Sequence, residues 1–61
     1  MRNWLEINCI ETEGKILLNL DNVESIGEST HKPGHAAICL VGYQDIIHCK
    51  ESYDDIRRKL E

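Results

Sequence analysis

Three histidines and three cysteines are the side chains of this 61-residue chain best suited to metal binding or catalysis. Structural zinc sites usually draw ligands from close pairs such as CxxC, and the sequence has no such pair. His31 and His35 are four residues apart, but the Pro-Gly pair between them excludes the helix that would align them. His48 and Cys49 are adjacent in a predicted strand, so their side chains point to opposite faces. We therefore expect no metal site and no cofactor.

Cysteine-based catalysis is the enzymatic chemistry that these residues could support, with Cys39 or Cys49 paired to a histidine. A catalytic thiolate needs a base, an orienting group and an oxyanion hole in one pocket. A chain of 61 residues without a Gly-rich element is a poor host for that arrangement, so we predict no catalytic residues and no enzyme activity. The odd cysteine count is atypical of secreted disulfide frameworks and favours buried free thiols in a reducing compartment.

Residues 29–35 form the long polar stretch of the sequence, and Pro33 and Gly34 predict a turn within a surface loop. His31, Lys32 and His35 give this loop the one local concentration of potential positive charge in an acidic protein. Two interpretations stay open. In one, the loop binds an anionic ligand such as a nucleotide, with a second subunit completing the site. In the other, it is a solvated loop tip.

Charge and hydropathy exclude several classes of protein. The net charge is −4 with acidic residues spread along the chain, which disfavours binding to a nucleic-acid backbone. No apolar run approaches the roughly 20 residues that a membrane-spanning helix needs. The N-terminal residues are polar and lack the apolar core of a signal peptide. We expect a cytoplasmic protein without membrane insertion.

Alternating apolar and polar residues predict five short strands, over residues 4–10, 15–20, 25–28, 36–41 and 45–50. The first hairpin turns at residues 11–14, where Gly14 is expected to take a positive φ. Asp21 and Asn22 break the second strand and form a corner, because their side chains compete for backbone hydrogen bonds.

A helix is predicted to begin after Ser52, which forms a capping-box pattern with Asp55. Tyr53, Ile56 and Leu60 give this helix one apolar stripe, which must dock on the sheet because the helix is short. The sequence therefore predicts a single small α+β domain over residues 1–61. Its five short strands form a bent antiparallel sheet or an open barrel, with one C-terminal α-helix packed on it.

Self-association is indicated by two features of the first hairpin. Trp4 lies on the polar face of its strand, where it either marks a contact surface or covers the helix or the sheet rim within its own subunit. Residues 16–18 are all apolar, so both faces of their strand should be covered, one by the core and the face of Leu17 by another subunit or by the helix. Small size and open sheet edges also favour a homo-oligomer, most simply a dimer.

The order of the predicted elements and several short motifs resemble the small FlbD/SwrD family of flagellar and swarming motility proteins. The matching residues are Gly14 and Lys15, Leu18 and Asn19, Val23 to Ile26, and Lys50 to Ser52. The resemblance implies a role in motility and offers no catalytic residues. Our leading hypothesis is a cytoplasmic adaptor that works through contacts with itself and an unidentified protein. The competing hypothesis is an oligomer that binds or sequesters a small anionic ligand at residues 31–35.

Overall fold

Five antiparallel strands and one C-terminal helix make up the computed structural model, which describes residues 3–61. The elements are β1 (Trp4–Cys9), β2 (Gly14–Asn19), β3 (Val23–Glu28), β4 (Ala36–Leu40), β5 (Ile46–His48) and α1 (Tyr53–Leu60). β1 pairs with β2 in one sheet, and β3, β4 and β5 form a second sheet in that order. The predicted small α+β class is confirmed, in the form of open sheets that do not close into a barrel.

The first hairpin turns differently from the prediction. Glu13 has a φ of 57°, whereas Gly14 already belongs to β2 and pairs with Cys9. The Glu13 N–H donates to the carbonyl of Ile10 at 3.3 Å and closes the turn. The expectation of a positive φ at Gly14 is therefore wrong. Glu13 is the last residue of the four-residue connection between β1 and β2, and its positive φ lets the chain begin pairing with β1 at Gly14.

The corner between the two sheets is a 3₁₀ turn at Leu20–Asn22, where the side-chain oxygen of Asn19 accepts a hydrogen bond from the N–H of Asp21. β3 then begins at Val23, two residues earlier than predicted. A register shift between Val23 and Ser25 interrupts the two-residue alternation. Val23 and Ile26 can therefore both pack against the core although they are three positions apart.

The core lies between the inner faces of the two sheets and the helix. Its buried members are Leu5, Ile7, Cys9, Leu18, Ala36, Ile38, Cys49 and Ile56. The predicted capping box is confirmed: the Ser52 hydroxyl accepts from the N–H of Asp55, whose carboxylate accepts from the N–H of Ser52. α1 packs on β3 and β4. No helix in the described part of the chain is long and apolar enough to cross a membrane.

The two sheets meet where the end of β1 runs beside the chain that leaves β5. Cys9 and Cys49 face each other there in an isolated antiparallel bridge. The N–H of Ile10 donates to the carbonyl of His48, and the N–H of Lys50 donates to the carbonyl of Asn8, both at 2.8 Å. We call residues 8–10 and 48–51 the sheet junction.

Glu51 completes the sheet junction with its side chain. Its carboxylate accepts from the backbone N–H of Asn8 at 3.1 Å and from the side-chain amide of Asn8 at 2.9 Å. Burial raises the pKa of the Glu51 carboxyl, but the hydrogen bonds from Asn8 outweigh this, so the pKa lies below its usual value of 4.5. The ionised carboxylate therefore accepts a backbone hydrogen bond of β1 that the carbonyl of a neighbouring strand would otherwise accept.

Candidate functional site

A cleft of about 640 Å³ opens beside the sheet junction. Glu11, Thr12 and Ile16 of the first hairpin line one side, and residues 43–48 line the other. Its volume lies within the range of small-molecule sites, roughly 300–1,000 Å³. We call it the main cleft. Because it lies between segments far apart in the sequence, no local pattern indicates it.

Glu11 and His48 form a carboxylate–imidazole pair in the main cleft. One Glu11 oxygen lies 2.5 Å from Nδ1 of His48, and the other accepts from the backbone N–H of His48 at 3.0 Å. The second oxygen also accepts from the Cys9 thiol at 3.5 Å. Desolvation raises the pKa of Glu11, but the hydrogen bonds from His48 prevail and lower it from 4.5 to about 2.

The pairing with Glu11 settles which nitrogen of His48 carries a proton. Nδ1 faces a carboxylate and therefore donates, which leaves Nε2 as the acceptor whenever the ring is neutral. A carboxylate-oriented imidazole of this kind can relay a proton. The neighbouring thiol of Cys9 donates to Glu11 rather than to the ring, so the pair is not arranged as a cysteine–histidine dyad. Sequence reasoning missed the pair because its members lie 37 positions apart.

A smaller groove of about 220 Å³ runs over the outer face of the three-stranded sheet. Two small residues that pair across β3 and β4, Gly27 and Ala37, line this groove. Ala37 also pairs with His48 of β5. His31 from the loop and His48 from β5 both line this groove. The imidazole of His48 therefore borders the groove as well as the main cleft.

The three predicted ligand-binding residues of the loop separate in the structure. Nδ1 of His35 lies 3.1 Å from the carbonyls of Cys49 and Lys50, so this ring donates to the sheet junction. Lys32 is exposed, and its N–H donates to the Ser29 hydroxyl at 2.9 Å. His31 lines the groove, whereas Lys32 and His35 do not. The structure thus places His31 and His48 along one groove, with Lys32 and His35 outside its lining.

Trp4 and Leu17, the predicted interface residues, share the outer face of the first hairpin. The register pairs Trp4 with Asn19 and Glu6 with Leu17, which makes Trp4 and Leu17 diagonal neighbours. Trp4 is 41% exposed and Leu17 is 50% exposed. Of the two alternatives for this face, cover by the helix is not found at Leu17, which is 50% exposed while α1 packs on β3 and β4, and cover by another subunit stays a prediction. We call Trp4, Glu6, Lys15 and Leu17 the hairpin face.

Among residues 3–61, no group of three or more His, Cys, Asp and Glu side chains is placed to hold a metal ion.

No protein-family model, curated protein or solved structure matches the chain. The resemblance to the FlbD/SwrD family therefore stays a prediction that depends on short motifs.

Proposed function

We propose that this chain is a non-enzymatic cytoplasmic protein that self-associates through the hairpin face and acts by contacting other proteins. The observation that carries the proposal is the exposure of Trp4 and Leu17 side by side on one strand pair. Tryptophan is enriched among the residues that dominate binding energy at protein interfaces. A strand pair that exposes two large apolar side chains next to each other is suited to contact with another protein surface.

A second copy of the chain fits the charges of this face. Glu6 and Lys15 lie 3.8 Å apart on it, and both side chains are exposed. In a twofold dimer the same patch is used by both subunits, so Glu6 of one copy can lie beside Lys15 of the other. A face that carries one acid and one base is therefore electrostatically complementary to itself. Self-association would also support a domain of this size, because its own core is small.

The biological setting is proposed from the sequence. An odd number of cysteines without CxxC spacing favours a reducing compartment, and the cytoplasm is such a compartment. The motifs shared with the FlbD/SwrD family favour a role in motility. In this proposal, a dimer presents the rest of its surface to a partner of the motility system.

The decisive test is native mass spectrometry over a range of protein concentrations. We expect a dimer for the wild type and at least a 10-fold weaker dimer for Trp4→Ala and for Leu17→Ala, which corresponds to about 1.4 kcal/mol or more. Val41→Ala is the matched control, because Val41 is an exposed apolar residue (65% exposed) outside the hairpin face. A monomeric wild type, or equal weakening by Val41→Ala, would refute self-association through this face.

Anionic-ligand binding is the second candidate, and one observation favours it: His31 and His48 line the same groove. Inorganic phosphate and a nucleoside triphosphate serve as probes, with the histidine ring signals followed by NMR. An adaptor should tolerate His31→Ala and lose association with Trp4→Ala, whereas a ligand binder should lose the phosphate-induced shift with His31→Ala and keep it with Trp4→Ala. Absence of a phosphate- or nucleotide-induced shift in the wild type would eliminate this candidate.

A further inference from the structure

Cys9 and Cys49 occupy the position in an antiparallel ladder where opposing side chains approach most closely. The hydrogen bonds at the sheet junction join the residues on either side of them, Asn8 with Lys50 and Ile10 with His48. Cys9 and Cys49 therefore form a non-hydrogen-bonded pair, for which the Cα atoms lie about 4.5 Å apart. This spacing falls within the range of about 4.4–6.8 Å found for disulfides.

Both thiols also lie on the same side of the ladder. Cys9 alternates with Leu5 and Ile7 on the inner face of β1, and all three are buried. Cys49 belongs to the same core cluster and is fully buried. Residues directly opposite each other in an antiparallel pair project to one face. The bridge therefore places the two side chains opposite each other on the core side of the ladder, and both cysteines are reduced in the structure.

The two thiols differ slightly in exposure, since Cys9 is 3% exposed and Cys49 is fully buried. Cys9 lines the main cleft, and its sulfur lies 3.5 Å from a carboxylate oxygen of Glu11, whose side chain is 45% exposed. Cys49 does not line the cleft. A small oxidant that enters the cleft therefore reaches Cys9 first and has no direct path to Cys49.

We propose that Cys9 and Cys49 are a redox-active dithiol that a low-molecular-weight disulfide oxidises to a cross-strand disulfide between the two sheets. The Cys9 sulfur attacks one sulfur of the small disulfide, which forms a mixed disulfide and releases one small thiol. The Cys49 sulfur then attacks the Cys9 sulfur, which forms the protein disulfide and releases the second thiol. The two protons lost by the cysteines leave on the two small thiols, and the small disulfide is the species reduced.

Burial of Cys49 slows the second step. Burial, followed by the nearby charge of Glu51, raises the pKa of the Cys49 thiol to about 12. Since the thiolate is the attacking species, Cys49 reacts slowly even though its target is adjacent. The mixed disulfide on Cys9 is therefore the intermediate to look for before the protein disulfide forms. The inference is independent of self-association, because both cysteines belong to one chain and lie outside the hairpin face.

Oxidised glutathione, added to the folded protein without denaturant, provides the test. Intact-mass spectrometry should show one bound glutathione first and then a species that has lost two hydrogens relative to the reduced protein. Non-reducing peptide mapping should join the peptide of Cys9 to that of Cys49. Dithiothreitol should reverse the change, and the oxidised protein should unfold at higher urea concentration than the reduced protein.

Single substitutions separate this pairing from general thiol oxidation. Cys9→Ala and Cys49→Ala should each abolish the protein disulfide, and Cys49→Ala should retain the glutathione adduct. Cys39→Ala is the matched control and should form the disulfide at the wild-type rate. A linkage through Cys39, a disulfide between two chains, or oxidation only in denaturant would overturn the proposal. The peptide map of the wild type decides the matter even if a variant fails to fold.

Discussion

Replacing Glu51 tests whether one buried carboxylate holds the two sheets together. Its side chain is 13% exposed and accepts hydrogen bonds from two donors of Asn8. Hydrogen bonds to charged groups contribute about 1.5–3 kcal/mol each. The Lys59 ammonium lies 3.9 Å away and is partly exposed, so it adds little, at most about 1 kcal/mol. We expect Glu51→Ala to lower the free energy of unfolding by about 3 kcal/mol.

Glu51→Gln should cost less than Glu51→Ala, about 1–1.5 kcal/mol, because an amide oxygen can still accept from the backbone N–H of Asn8. A protein of this size has a total stability of about 3–9 kcal/mol, so the alanine variant should be close to unfolding. Urea denaturation measures both changes. With a slope near 1 kcal/mol/M, the midpoints should fall by about 3 M and about 1 M.

The pH dependence of the same experiment identifies the charge as the cause. The pKa of Glu51 in the folded protein lies below its usual value of 4.5. The stabilisation from ionised Glu51 is therefore fully present above pH 4.5 and is lost as the pH falls through the folded-state pKa. The deficit of Glu51→Gln relative to the wild type should shrink in acid. Glu24→Gln, at an exposed position of β3, controls for net charge. A deficit that does not vary with pH, or one equal to that of Glu24→Gln, would refute the reasoning.

Two local substitutions complete the stability predictions. Glu13→Gly should raise the free energy of unfolding by about 0.5–1 kcal/mol, because Glu13 has a φ of 57°, a conformation that costs non-glycine residues roughly 1–2 kcal/mol. Glu13→Ala is its control and should give no gain in a urea titration. Ser52→Ala should lower the free energy of unfolding by about 1 kcal/mol, because its hydroxyl accepts from the N–H of Asp55 at 3.1 Å. An unchanged urea midpoint would show that this cap does not stabilise α1.

Local patterns were sufficient to predict most of the fold. The two-residue alternation of β1 places Leu5, Ile7 and Cys9 on one face, and all three are buried. The capping box at Ser52 can also be predicted from the sequence, because both partners lie within one helical turn. The alternation fails at the start of β3, where the irregular pairing near Val23 arises from contact with β4.

The candidate site could be predicted only in part because its contacts join distant segments. Glu51 binds Asn8 across 43 positions, and Glu11 binds His48 across 37. Periodicity and spacing cannot predict such a contact, since each partner taken alone is an ordinary polar residue. The histidine loop was visible as a polar stretch, yet the sequence held no sign that His35 would bond the carbonyls of Cys49 and Lys50.

The division of the fold at the sheet junction has a consequence for how the chain folds. The β1–β2 hairpin and the β3–β4–β5 meander each consist of sequence neighbours, so each can form with little loss of loop entropy. Docking the hairpin on the meander is the long-range step and closes the core around Ile7 and Ile38. We expect reopening of that contact to release the hairpin as a cooperative unit while the meander stays folded. The amide protons of Ile10 and Lys50 should then exchange through this partial opening, ahead of those within β4.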